Sequence, residues 1–123
     1  MNNKNLSELS RRLTPKKLAH GTWYSQGTII NLNDDYCNYE KISIRTGWNS
    51  ENGGLYDHEL IINKNNETSL NQLVHCYQGD GKHLGAITIN YDPKYPRQIK
   101  IIKSNGLTSD NAAQGIREVW GLL

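Results

Sequence analysis

The feature that most constrains the fold is a series of short β-like segments separated by turn-rich pieces across the middle of the chain. The segments are rich in β-branched and aromatic residues, and the connecting pieces are rich in Asn, Asp and Gly, as is typical of strands and tight reversals. Connections this short favour antiparallel neighbours, because a parallel crossover needs about a dozen residues. The predicted strands are Thr22–Leu32, Asn38–Gly47, Leu55–Asn63, Asn71–Gln78, Leu84–Tyr91 and Gln98–Lys103.

Apolar and polar residues alternate within these segments, which indicates a sheet with one dry face and one wet face. Ile42 and Ile44 share one side of their strand, and Ile99 and Ile101 share one side of the last segment. Ile102 breaks that alternation. The pattern predicts an antiparallel meander of about six curved strands whose dry face needs a cover.

Both ends of the chain have the spacing of an amphipathic helix. Leu6, Leu9 and Leu13 recur at three and four positions near the N-terminus, ahead of Pro15. At the other end, a Thr-Ser-Asp capping cluster precedes apolar residues at helical spacing over residues 108–123. We expect this second helix to lie on the open face of the sheet, with Trp120 in the core.

These patterns together predict an α+β fold in a single domain. Its parts are a helical N-terminal segment at residues 1–20, an antiparallel sheet at residues 21–104, and a C-terminal helix at residues 108–123 that packs on one face.

Charge and hydropathy exclude several functional classes. The chain has 123 residues, with 14 Lys and Arg against 12 Asp and Glu, so its net charge is +2. Nucleic-acid binders usually have a strong basic excess, so a nucleic-acid partner is not expected. The sequence has no apolar run of about 18 residues and no apolar signal-peptide core at its start. We therefore expect a cytoplasmic protein that does not span a membrane, and the oligomeric state stays open.

A short motif resembles the first strand of the lipocalin-like barrels, the calycins. It is Gly21-Thr22-Trp23-Tyr24-Ser25-Gln26, and the similarity extends over about a dozen residues. The same stretch is similar to the first strand of the avidins. The resemblance implies a closed barrel of eight strands that holds a small ligand, with the Trp at one end. The alternative is that Trp23 packs as a core aromatic.

The Cys and His residues do not form a metal-binding pattern. His75 and Cys76 are neighbours on a predicted strand, so they should point to opposite faces. The other cysteine, Cys37, is far away in sequence, and a disulfide cannot be inferred from sequence spacing alone. We expect no metal site, no catalytic residues and no cofactor.

Four histidines leave a nuclease as an alternative function. Cleavage of RNA without a metal needs a general acid and a general base, which two imidazoles can supply. His58 and His75 lie on neighbouring predicted strands, but no spacing among the histidines is typical of a catalytic pair. An enzyme therefore stays possible but is not the preferred interpretation.

The aromatic composition favours recognition. The chain has seven Tyr and three Trp but no Phe, and Tyr and Asn are typical of adaptable binding surfaces. We predict a small, soluble, non-catalytic binding module that recognises a small molecule or a protein surface through a Tyr- and Asn-rich sheet face. A protein inhibitor or assembly factor is a further alternative. The predicted ligand-binding residues are Trp23, Tyr24, Arg45, Trp48, His75 and Tyr77.

Overall fold

A computed structural model describes residues 15–47, 55–61 and 69–122. Within these ranges the chain forms eight strands and two short 3-10 helices, Tyr36–Asn38 and Ser109–Gln114. The strands are β1 (Lys16–Trp23), β2 (Ile29–Asn31), β3 (Lys41–Gly47), β4 (Leu55–Ile61), β5 (Leu70–Tyr77), β6 (His83–Tyr91), β7 (Gln98–Asn105) and β8 (Ile116–Leu122). Five of the six predicted segments, from the second to the last, therefore correspond to β3–β7.

The strands form two four-stranded antiparallel sheets that enclose one core as a sandwich. Sheet A has the order β1-β8-β3-β4, and sheet B has the order β2-β7-β6-β5. Strands β3 and β4 follow one another in the chain and are neighbours in sheet A, and β5, β6 and β7 do the same in sheet B. The other connections pass from one sheet to the other. The predicted single meander is therefore wrong, because short connections cross between the layers as well as joining neighbours.

The predicted α+β class is also wrong, since the described residues contain strands and 3-10 helices but no α-helix. The predicted C-terminal helix is a 3-10 helix followed by β8, which pairs with β1 and β3 inside sheet A. Thr108 does cap a helix, as its neighbours predict, but that helix ends at Gln114. The sheet thus extends to the end of the described chain.

A β-bulge explains why β8 has the sequence pattern of a helix. The pairing of β8 with β3 shifts by one residue at Arg117. Ile116 and Val119 are both fully buried, although three positions separate them. That separation is typical of one face of a helix, and here the extra residue of the bulge produces it. Trp120 consequently points to the outer face of sheet A instead of the core.

The prediction of a helical N-terminal segment is wrong for its described residues. Lys16–Trp23 includes five residues of the predicted helical segment and forms β1, which pairs with β8. The part of the predicted N-terminal helix that carries Leu6, Leu9 and Leu13 lies outside the described residues. Strand β1 buries Leu18 and Ala19 next to one another, because its pairing with β8 also shifts at that point.

The core is built mainly from isoleucine, as the absence of Phe requires. Among the described residues, eight Ile side chains are fully buried, and Leu18, Val74 and Val119 accompany them with accessibilities of 0–1%. The buried Ile residues are Ile30, Ile42, Ile44, Ile87, Ile89, Ile99, Ile101 and Ile116. Three of the tyrosines also lie in the core and are not available to a binding surface: Tyr36, Tyr39 and Tyr91.

The first predicted strand, Thr22–Leu32, divides into two strands that lie in different sheets. A turn at Ser25–Thr28 separates them, and Gly27 adopts a positive φ of 89° there. The lipocalin-like motif ends β1 and enters this turn. The described strands form two separate sheets and not the single closed sheet that the resemblance implies, so kinship with those barrels stays a prediction. Within the described ranges, no helix has the length and hydropathy of a membrane span.

Candidate functional site

The residues predicted to bind a ligand lie in three separate places. Trp23 and Tyr24 lie at the end of β1, Arg45 lies on the outer face of sheet A, and His75 and Tyr77 lie on the edge strand β5. Trp48 lies outside the described residues. The structure therefore does not bring the predicted set together into one site.

Trp23 and Tyr24 are half-buried and pack against the core cluster. The Trp23 ring folds back over Gly21, where an added Cβ would come within 2.8 Å of a ring carbon. The backbone of Trp23 lies equally close to Gly115. These contacts match the core-aromatic alternative for Trp23.

Charged side chains on the outer face of sheet A pair with one another. Arg45 Nε lies 2.7 Å from Asp57 Oδ1, and Arg45 Nη1 lies 3.5 Å from Glu118 Oε1. Lys17 Nζ lies 3.3 Å from Glu118 Oε2. We call Lys17, Glu118, Arg45 and Asp57 the charge ladder. Each cation of the charge ladder has a carboxylate partner within sheet A. Arg45 therefore already forms ion pairs without a ligand.

Trp120 lies over the charge ladder. Its indole N–H donates to Glu118 Oε1 at 2.9 Å, and the centre of its ring lies 4.7 Å from the Arg45 guanidinium and 5.4 Å from Lys17 Nζ. Burial alone would raise the pKa of Glu118, but the indole hydrogen bond and the two cations favour the carboxylate and lower its pKa. Trp120 is thus a structural part of this face.

Three hydrogen bonds between side chains and backbone groups join the free edge of β5 to sheet A. His75 donates its backbone N–H to His58 Nε2 at 3.0 Å, and Thr46 Oγ1 donates to the His75 carbonyl at 2.9 Å. Gln72 Nε2 in turn reaches the Glu59 carbonyl at 3.4 Å. We call these three bonds the edge latch. They satisfy backbone groups that an edge strand otherwise exposes to other chains.

The edge latch fixes the state of His58. Its Nε2 accepts from His75, so its Nδ1 carries the proton and donates to the Ile44 carbonyl at 3.3 Å. Burial disfavours the charged imidazole and lowers the pKa of His58. Both ring nitrogens are therefore bonded to backbone, and this geometry does not favour His58 as the base of the nuclease alternative.

Beside the latch, aromatic side chains gather at the rim between the two sheets. The Tyr56 and Tyr77 ring centres lie 4.8 Å apart, and the Tyr77 ring lies 5.6 Å from that of His83. His75 Nδ1 lies 3.1 Å from His83 Nε2. Among the described residues, no group of three or more His, Cys, Asp or Glu side chains is arranged to hold a metal ion.

A groove on the outer face of sheet B is the site that the sequence interpretation missed. Its volume is about 490 Å³, which lies within the range of small-molecule sites. Residues from β2, β6, β7 and the β6–β7 turn line it: Ile29, Asn90, Asp92, Tyr95, Gln98, Lys100 and Ile102. None of them belongs to the predicted set.

Local backbone geometry gives the groove its shape. The register of β6 with β7 shifts so that Ile102 is an extra, exposed residue beside Lys100. The β6–β7 turn is held by the Asp92 carbonyl, which accepts the Tyr95 N–H at 2.8 Å, and by the Asp92 carboxylate, which accepts the Lys94 N–H at 3.0 Å. The turn therefore presents Tyr95, 60% exposed, at the end of the groove.

Sheet B differs from sheet A in its exposed apolar side chains and in its lysines, which form no ion pairs with described residues. In the described ranges, the large apolar side chains that are most exposed all lie on the strands or turns of sheet B: Ile29, Leu73, Tyr95 and Ile102. The lysines without an ion pair to a described residue also lie on strands or turns of this sheet: Lys82, Lys94, Lys100 and Lys103. The outer face of sheet B and its turns thus combine apolar contact area with lysines that form no ion pair within the described part of the chain.

The only sequence signal for this surface was Ile102, whose position breaks the alternation of its strand. Tyr95 lies between Pro93 and Pro96, after the end of the predicted strand Leu84–Tyr91, and is not among the predicted ligand-binding residues. Comparisons with known proteins add no further assignment. No protein-family model matches the chain, and no curated protein is significantly similar to it.

Proposed function

We propose that this protein is a small, non-catalytic binding module whose groove on the outer face of sheet B holds a small polar ligand. The observation that carries the proposal is the contrast between the two outer faces. The charge ladder of sheet A is matched internally, whereas the groove places an exposed Tyr95 beside Lys100, which has no ion pair among the described residues.

The lining suggests the chemistry of the ligand. Ile29 and Ile102 offer apolar contact, and the Tyr95 ring offers a rigid amphipathic surface. Gln98 can donate and accept hydrogen bonds, and Lys100 can pair with an acid group. A compound with one apolar side and hydroxyl or acid groups on the other matches this arrangement.

A protein partner is the second candidate, and Leu73 favours it. This side chain is 52% exposed on β5, outside the groove lining. Leu73 on β5 and Ile29 on β2 lie on opposite edge strands of the sheet, so exposed apolar side chains are spread across a width of this face that one small molecule would not cover.

Native mass spectrometry of protein purified from a cell lysate tests the proposal. We expect a non-covalent adduct of small mass that decreases in Tyr95→Ala and Lys100→Ala. Lys103→Ala is the matched control, since Lys103 is exposed on the same strand but does not line the groove. Retention of the adduct in both groove variants, or its loss in Arg45→Ala, would contradict the proposal. A stoichiometric protein partner would favour the second candidate.

For location we propose the cytoplasm. The two cysteines of the chain, Cys37 and Cys76, are both described and form no disulfide with each other. Thiols are typical of reducing compartments. Burial also raises the pKa of the Cys76 thiol to about 12, so it is held as an unreactive core group.

A further inference from the structure

Two histidines on neighbouring strands of sheet B place their ring nitrogens together at the rim. His75 Nδ1 and His83 Nε2 lie 3.1 Å apart, and the planes of the two rings are inclined by 58°. His83 is exposed and His75 is half-buried. Neither residue lines the groove, so this pair is a separate feature from the proposed ligand site.

The backbone at both histidines is held by contacts that do not use their paired ring nitrogens. The edge latch holds the backbone of His75 on both sides, through His58 and Thr46. His83 begins β6 directly after a tight turn, in which Gln78 donates its N–H to the Lys82 carbonyl at 2.8 Å. Such preorganisation reduces the ordering cost of binding an ion.

We propose that His75 and His83 together form a bidentate site for a transition-metal dication such as Cu(II), Ni(II) or Zn(II). Imidazole nitrogen suits these ions, whereas Mg(II) and Ca(II) require oxygen ligands. Two nitrogens about 2.1 Å from one ion at adjacent positions are separated by about 3 Å, which matches the observed spacing.

Binding needs no oxidant and no net loss of protons from neutral imidazoles. The hydrogen bond between the rings uses one N–H, and a neutral imidazole can carry its proton on either nitrogen. When the ion arrives, the donor ring moves its proton to its outer nitrogen. The two lone pairs face each other across the former hydrogen bond, so both rings turn until the lone pairs converge on the ion, and each paired nitrogen then donates one pair. Water completes the coordination, so the site is open on the solvent side.

His58 does not supply a third ligand, because both of its nitrogens are bonded to backbone. With two protein ligands we expect modest affinity that follows the general order of divalent ions, with Cu(II) strongest and Mn(II) weakest.

Calorimetric titration of tag-free protein with Cu(II) at neutral pH tests the site. We expect one ion per chain, and His83→Gln should weaken binding at least about tenfold, since even outer-shell changes weaken metal sites by that factor. Electron paramagnetic resonance should show coupling to two imidazole nitrogens in the unchanged protein and to one in His83→Gln.

His20→Gln is the matched control, since His20 is an exposed histidine on β1 in the other sheet. It should bind Cu(II) as the unchanged protein does. An unchanged melting temperature of metal-free His83→Gln would show that the variant folds. The proposal is wrong if the unchanged protein binds no Cu(II), if His83→Gln keeps full affinity, or if His20→Gln loses as much.

Discussion

Asp34 is the residue that holds together the loop between β2 and β3. Its carboxylate accepts hydrogen bonds from Tyr39 Oη at 2.8 Å and Asn38 Nδ2 at 3.1 Å, and it lies 3.5 Å from Lys16 Nζ. The Tyr39 ring packs on Gly121, where a Cβ would come within 2.6 Å of its carbons. One carboxylate therefore connects this loop to β1 directly and to β8 through Tyr39.

The pH dependence of stability should show the role of Asp34. Burial would raise its pKa, but the hydrogen bonds and Lys16 outweigh burial, so the folded pKa lies below the ordinary value of 3.8. The folded state then binds fewer protons in acid than the unfolded state does, and the stabilising contribution is lost as the pH falls through the folded pKa. Asp34→Asn should lower the free energy of unfolding at neutral pH by about 1–3 kcal/mol.

Urea unfolding over a pH series measures this effect. The difference between the unchanged protein and Asp34→Asn should be largest above about pH 4 and should shrink below it. Asp35→Asn is the matched control, because Asp35 pairs with the exposed Arg97 at 2.8 Å and such surface pairs contribute at most about 1 kcal/mol. A difference for Asp34→Asn that does not change with pH would contradict this account.

At the scale of elements, the sequence predicts β3 to β7 and fails at β8, where a bulge gives the inward residues the spacing of a helix. The strands β3 to β7 begin and end within a few residues of the predicted bounds. In β8 the extra residue Arg117 separates the inward residues Ile116 and Val119 as a helix would. A bulge depends on the partner strand, so the local sequence cannot distinguish it from a helical repeat.

Two adjacent isoleucines test the bulge in β7. Ile101 is fully buried, whereas Ile102 is 37% exposed and lines the groove. Ile101→Ala should lower the free energy of unfolding by about 2–5 kcal/mol, and Ile102→Ala should lower it by about 1 kcal/mol or less. Chemical denaturation of the two variants measures both values. Equal losses would mean that the strand does not have this register.

The edge latch is a second property of elements that local sequence does not reveal. It depends on which side chains of sheet A face the free edge of β5. Thr46→Val removes the donor to the His75 carbonyl and keeps the shape of the buried side chain. We expect a loss of about 1–2 kcal/mol of unfolding free energy and faster amide hydrogen exchange in β5.

Thr88→Val provides the control for the latch, since Thr88 lies on the outward side of β6 and its substitution should change stability by less than about 0.5 kcal/mol. If Thr46→Val had no larger effect than Thr88→Val, the latch would contribute nothing to the closure of the sandwich.

At the scale of the whole molecule, the arrangement of the two sheets decides which residues meet. The predicted site residues Arg45 and His75 both lie on strands, and the sandwich places them on different sheets. The same arrangement joins β2 to β7 and so brings Ile29 beside Lys100. Neither arrangement has a signature in sequence spacing, so composition predicts a recognition surface without predicting which residues form the groove.

The central claim is that the outer face of sheet B is the binding surface of the molecule. Amide chemical-shift mapping by NMR, with a library of small compounds that carry hydroxyl or acid groups, tests it over both faces at once. The account predicts that shift changes concentrate around Tyr95, Lys100 and Ile102 and disappear in Tyr95→Ala. Shift changes that concentrate on the charge ladder of sheet A, or that persist in Tyr95→Ala, would contradict it.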